Sequence, residues 1–268
     1  MSQHVFDESI ALARQADGSF AGNTHPAYAN MVGPFGGTTA AQALNAVLRH
    51  PDLLGEPLSL TVNFCAGVAD GAFVMNAKPA RTNRSTQHWT VEMLQNGDVV
   101  TTATAVTAVR RDTWADDEVT MPNVPAPAEV PLPTGGAPME FIKRYELRTI
   151  EGGMAKLWDG SLHPSRTQLW ARDNPPRPLD FASLAAISDI FFPRIFVRRH
   201  TPTPAGTVSI TTYFHANAAQ LAATGTGYLL GQAQANAFRN GFFDQSAQIW
   251  NEAGLLLASS HQIVYYKQ

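Results

Sequence analysis

The chain has 268 residues, 44% of them hydrophobic and 15% charged, which allows one large core or two small ones and leaves less surface charge than usual. Its net charge of −3 argues against the basic stripe of a nucleic-acid binder, and the low charge suggests surface hidden in a homo-oligomer. The single cysteine, Cys65, allows no internal disulfide. Residues 1–12 lack an apolar leader core and no apolar run reaches spanning length, so a soluble, cytoplasmic protein without membrane insertion is expected.

In chain order, the first signal is a glycine-rich turn over residues 33–37. Thr38 or Thr39 is placed to cap a helix that carries Ala40, Ala41, Leu44, Ala46, Val47 and Leu48 and stops near Pro51. Strands are expected over 58–64, 73–80 and 86–94. Asn96-Gly97 then gives the strongest short hairpin signal, and a strand over 99–109 follows. A stretch dense in proline and glycine comes next, including Pro122, Pro125, Pro131, Gly135, Gly136 and Pro138. It suits neither a helix interior nor a central strand. It reads as a linker over 121–138 between units at 1–120 and 139–268.

After the linker, strands are expected over 141–150 and 167–171. A buried helix is expected over 181–192, with Leu184, Ile187, Phe191 and Phe192 apolar. Strands follow over 207–215, 228–237 and 246–250, and a turn at Ala253-Gly254 leads to a last strand over 255–266. The halves share detail as well as order. Thr61-Val62-Asn63-Phe64 aligns with Thr211-Thr212-Tyr213-Phe214, and Gln95-Asn96-Gly97 with Glu252-Ala253-Gly254. Each half has one helix to bury on an antiparallel sheet, so the expected class is α+β, with two units joined edge to edge.

Several segments carry a family likeness. They are Phe35-Gly36-Gly37, the run from Arg166 through Trp170 to Arg172, Ser188-Asp189-Ile190-Phe191-Phe192-Pro193, Tyr213-Phe214-His215, and the run from Gly254 through His261 to Gln262. Together they resemble the bacterial thioesterase II family of double hotdog acyl-CoA thioesterases. The resemblance implies two tandem hotdog units forming one extended antiparallel sheet wrapped around two long helices. It also implies an acyl-CoA substrate and no cofactor or metal. By position, the water-holding trio of that family falls on Asp189, Thr207 and Gln262. Thr207 depends on where a gap is placed, with Ser209 and Thr211 expected on the same strand face. Ala105 stands at the repeat position of Gln262, and residues 36–48 hold no carboxylate, so one site per chain, in the 139–268 unit, is expected.

Thioester hydrolysis needs an activated water and a home for the oxyanion. A carboxylate in an apolar stretch suits the first need, because burial raises its pKa toward that of a useful base. The competing reading of Asp189 is a helix residue paired with Arg194. Other chemistries lack anchors. There is no Gly-x-Ser-x-Gly elbow, the eight His show no metal-ligand spacing, and Gly225-Thr226-Gly227 with Gly231 is not a dinucleotide fingerprint. A hotdog hydratase would resemble Asp with His five residues on, where this chain has Arg194. A silent acyl-CoA-binding module is the alternative from another class. Arg81, Arg84, Arg110, Arg111, Arg198 and Arg199 are candidates for CoA phosphates or simply solvated. Trp158, Trp170, Phe191, Phe192 and Phe196 would line an acyl tunnel or pack a core.

Overall fold

A computed structural model describes residues 3–134, 139–155 and 157–267. Gly135, Gly136 and Pro138 of the expected linker lie outside the described residues. The strands are β1 (Ala13–Arg14), β2 (Phe20–Asn23), β3 (Glu56–Phe64), β4 (Ala72–Thr82), β5 (Thr86–Gln95), β6 (Asp98–Ala108), β7 (Tyr145–Glu151), β8 (Thr167–Asp173), β9 (Ala205–Phe214), β10 (Leu229–Gln234), β11 (Phe238–Arg239), β12 (Phe242–Asn251) and β13 (Leu256–Tyr266). The helices are α1 (Val5–Ser9), α2 (Gly36–Leu48), α3 (Phe181–Ile187), α4 (Arg194–Arg198) and α5 (Ala218–Thr224).

The strands form one antiparallel sheet in the order β1-β2-β4-β5-β6-β3-β9-β13-β12-β10-β8-β7, with β11 beside β12. That order is a palindrome. Each strand of the first half has a counterpart at the same distance from the β3–β9 seam. At the seam Thr61 faces Thr211, Ser59 faces Tyr213 and Asn63 faces Ser209. A local two-fold therefore passes between Thr61 and Thr211, whose hydroxyl oxygens lie 2.9 Å apart. Arg110 fastens the seam, with its Nη2 donating to the Pro57 carbonyl on one side and the Phe214 carbonyl on the other.

The halves even share irregularities. β3 carries a bulge at Leu58 and β9 one at Val208. The paired strands break register again at Val100 and at Leu257. Bulges of this kind bend the strand and re-aim side chains. The hairpin expected at Asn96-Gly97 is a two-residue turn with both residues at positive φ, 52° and 89°, the geometry of a type I′ turn.

α2 is buried almost all round. Ala40, Ala41, Leu44 and Val47 pack on β3–β6 and against α3, as expected for a helix that a sheet wraps. Two of its polar side chains reach the N-terminal segment, where Gln42 and Asn45 donate to the Ser9 and Ile10 carbonyls, whereas the buried Thr38 hydroxyl has no partner among the described residues. The second helix differs from the sequence expectation. It runs only over Phe181–Ile187 and ends at Ser188 rather than reaching Phe192. There the Ser188 hydroxyl donates back to Leu184 O, and Asp189 and Ile190 make tighter i→i−3 bonds to Ala186 and Ile187. Such competition from a serine, a tightened last turn and a proline ahead all favour termination. Pro193 then opens α4.

Candidate active site

Asp189 directly follows Ser188, the residue that caps the C-terminus of α3, and lies in a turn rather than on the helix. A helix C-terminus is the wrong end for a carboxylate, but the N-terminus of α2 faces it from the other half of the molecule. A Cβ at Gly36 would sit 2.7 Å from Asp189 Oδ2, and one at Gly37 would sit 2.5 Å from the Ala186 carbonyl oxygen. Glycine at both positions lets the helix end approach. No side chain caps α2, whose N-cap is Phe35; the N–H groups of Thr38 and Thr39 turn back to the Phe35 carbonyl, which leaves those of Gly36 and Gly37 to meet an anion.

Gln262 is buried on β13, opposite Ile210 of β9. Its Nε2 donates to Asp189 Oδ1 over 2.9 Å, and its Oε1 accepts from the Thr207 hydroxyl at 3.4 Å. The three expected side chains thus form one connected group, with Gln262 in the middle. The bulge at Val208 decides which β9 hydroxyl joins it. Without a bulge, Thr207 would share a face with Ser209 and Thr211. With it, Thr207 turns to the inner face beside Gln262, while Thr211 meets Thr61 at the seam. The expectation that Ser209 and Thr211 share the face of Thr207 is therefore corrected.

The group opens on a cavity of about 220 Å³. Phe35 and Met31 come from the first half, Phe141 from the chain after the linker, and Phe191, Phe192 and Phe196 from the α3–α4 region. Asp189 keeps part of its surface toward this cavity but is otherwise packed in protein. Burial raises its pKa to about 7, against the lowering pull of hydrogen bonds from Gln262 and the Gly37 N–H. A carboxyl poised there can accept a proton near neutral pH. Arg194 is not its partner. It donates to the carbonyls of Phe192 and Ser165 and to the Thr167 hydroxyl. Without a carboxylate beside it, burial pushes it down to about 9.

The sequence reading missed the contribution of the first half. The signal available was Gly36-Gly37 directly after an apolar residue, ahead of a helix. It also missed Gln245, which is buried on β12 opposite Gln262 and lines the cavity. Of the aromatic candidates, Phe191, Phe192 and Phe196 line the cavity. Trp158 packs edge-on against Phe196. Trp170 belongs to a separate cluster with Tyr228, Leu230 and Trp250, and donates to the Pro125 carbonyl of the linker. Among the described residues, no group of three or more His, Cys, Asp or Glu is arranged to hold a metal ion. No described helix is long and apolar enough to cross a membrane.

The polar group of the second half has no counterpart in the first. The strand registers make Ala105 equivalent to Gln262, Pro57 to Thr207 and Trp89 to Gln245. Trp89 is 1% exposed and donates to Thr107. An indole and two small or aliphatic groups stand where the other half keeps two amides and a hydroxyl.

Comparison with known proteins places this geometry in context. Residues 25–108 match the acyl-CoA thioesterase N-terminal domain and residues 120–266 the acyl-CoA thioesterase C-terminal domain. A conserved protein of unknown function with a hot dog fold from Alicyclobacillus acidocaldarius is 46% identical. It covers 100% of this chain and 99% of its own, with a TM-score of 0.94. The acyl-CoA thioesterase II TesB2 of Mycobacterium marinum is 19% identical over 98% of each chain, with a TM-score of 0.76. The tesB protein of Mycobacterium avium subspecies paratuberculosis is 19% identical over 98% of each chain, with a TM-score of 0.79. Comparison with curated proteins gives no significant match. The fold is the double hotdog, α+β, with one long antiparallel sheet.

Proposed function

The chain belongs to the acyl-CoA thioesterase family, and we propose that it hydrolyses acyl-CoA to a free carboxylic acid and CoA, with Asp189 as general base. The observation that carries this reading is the bridge made by Gln262 between Asp189 and Thr207 at the wall of an apolar cavity. A water held by the three groups attacks the thioester carbonyl carbon and gives its proton to Asp189. Gln262 and Thr207 each donate and accept, so they fix the water's orientation. The carbonyl oxygen takes the negative charge, which the N–H of Gly36 and the positive end of the α2 dipole stabilise. Collapse of the intermediate breaks the C–S bond. The leaving thiolate takes the proton from Asp189, which restores the carboxylate. Phe35, Phe191 and Phe192 exclude bulk water and hold the acyl chain.

The single free thiol accords with a cytoplasmic setting. Val208, Tyr213 and Ile263 leave apolar surface on the outer face of the sheet, which favours a homo-oligomer, checked by sedimentation. The central test supplies purified protein with a panel of acyl-CoAs and follows thiol release. Release is expected from wild type and from Asp112→Ala, which alters an exposed residue, and is expected to vanish in Asp189→Ala. Tight acyl-CoA binding without release at any chain length would overturn the reading in favour of a silent binding module.

A further inference from the structure

A second concavity, of about 610 Å³, lies beyond the cavity and is walled by Arg198, Arg199, Arg239, Phe238 and Tyr266. The two spaces share their dividing elements. On α4, Phe196 faces the cavity, whereas Arg198 and the next residue, Arg199, face the cleft. On β13 the inward positions run Gln262, Val264, Tyr266, so the wall passes from the candidate site through the cavity to the cleft. Four residues of strand span roughly 13 Å. That is the scale of the flexible arm that separates a thioester sulfur from the phosphates of CoA.

The charges in the cleft are uncommitted. Among the described residues no carboxylate pairs with Arg198, Arg199 or Arg239, whereas Arg148, Arg166, Arg172 and Arg177 are each paired. The nearby carboxylate, Asp244, is engaged by the N–H groups of Asn236 and Ala237 and by the Asn236 side chain. Arg198 is steadied by donating to the His163 carbonyl, which leaves its other donors free. Three guanidinium groups in one hollow of a protein with net negative charge repel one another without an anion. Phe238 and Tyr266 both pack on Phe243 and give the hollow an aromatic wall, against which a planar base can stack.

We infer that this cleft binds the phosphorylated nucleotide end of CoA, with Arg198, Arg199 and Arg239 on its phosphates and the adenine against the aromatic wall. The inference rests on the hydrolase reading for its substrate. It adds Arg239 to the arginines that the sequence offered and separates Arg198 and Arg199 from the rest. Arg110 is occupied with the seam carbonyls, and Arg81 reaches Asn83 in its own hairpin.

The test has two arms. In the first, adenosine 3′,5′-bisphosphate is titrated calorimetrically into wild type, Arg239→Gln and Arg198→Gln/Arg239→Gln. Arg239 is exposed, so its variant keeps the fold, which a melting curve checks. Affinity is expected to fall about tenfold for each guanidinium removed. In the second arm, kinetics are compared between an acyl-CoA and the N-acetylcysteamine thioester of the same acid, which lacks the nucleotide. KM for acyl-CoA is expected to rise about tenfold per arginine, with kcat and the truncated-substrate kinetics unchanged. Equal losses with both thioesters, or bisphosphate binding that ignores the arginines, would overturn the assignment. So would phosphopantetheine competing as well as CoA, because the nucleotide would then go unread. Bisphosphate binding does not need hydrolysis. If it is arginine-dependent in a protein that releases no thiol, the cleft stands and the hydrolase reading falls.

Discussion

The two halves share strand order, seam register and both bulge positions, yet equivalent positions hold opposite kinds of residue. Where the second half keeps Gln245, Gln262 and Thr207 beside a carboxyl, the first keeps Trp89, Ala105 and Pro57. The difference teaches that one backbone can serve as a packed core or as a site, depending on a few inward positions. In the first half the volume is spent on an indole, and burial stabilises the fold. In the second half polar groups are buried at a cost, which hydrogen bonds within the group offset in part. The first half is still not a bystander, because its helix end abuts Asp189 and its Phe35 lines the cavity.

The largest effect that would sharpen this contrast is on turnover. Asp189→Asn keeps the shape but cannot accept a proton, so kcat is expected to fall about 10²–10⁴-fold. The same change carries a stability signature. Burial lifts the pKa of Asp189 from 3.8 to about 7, so its contribution to stability is fully present below about pH 4 and is lost as pH rises through 7. Asp189→Asn is therefore expected to melt higher than wild type at pH 8, by roughly 1–3 kcal/mol after allowance for the solvent in the cavity. The two melting curves are expected to converge toward pH 4. A variant that loses activity and also loses stability at pH 8 would break the account.

Next in size, Trp89→Ala is expected to cost about 3–5 kcal/mol in denaturant unfolding, with turnover per folded molecule nearly unchanged. A comparable loss of kcat would mean that the first half takes part in chemistry beyond α2. The reverse graft, Gln245→Trp, gives the second half the residue of the first. It is expected to fill the cavity wall and lower kcat/KM about 10²-fold while leaving the fold intact by circular dichroism. Smallest is the seam. Thr211→Ala removes the hydroxyl contact with Thr61 and is expected to cost about 1 kcal/mol, without a change in pH profile.

Much of this was legible because local rules suffice for it. Alternating burial along β5 and β6 and the Asn96-Gly97 turn mark a hairpin without reference to the rest of the chain. The repeat followed from Thr61–Phe64 and Thr211–Phe214, and the register upholds the matching of Ala105 with Gln262. Asp189 and Gln262 were named from motifs, and the structure brings them together. What failed depended either on non-local geometry or on side-chain competition that an apolar pattern does not register. Nothing local to Thr207 announces a bulge one residue on, and that bulge decides which face it shows. The end of α3 at Ser188 reflects competition between a side-chain hydroxyl and the helix ladder, which an apolar pattern over 181–192 does not register. α5 had a signal in Asn217 and Gln220, a capping box, but its helix is only one and a half to two turns long. Gly36 meets Asp189 across 153 positions of chain, and no window of sequence spans that.

The close fit at Gly36 has a consequence for inheritance. A screen for loss of activity would be expected to return alleles in the N-terminal half, which has no acid, base or nucleophile of its own in the site. A single added methyl at Gly36 would land 2.7 Å from the carboxylate oxygen held by the other half, so this position is expected to tolerate no side chain.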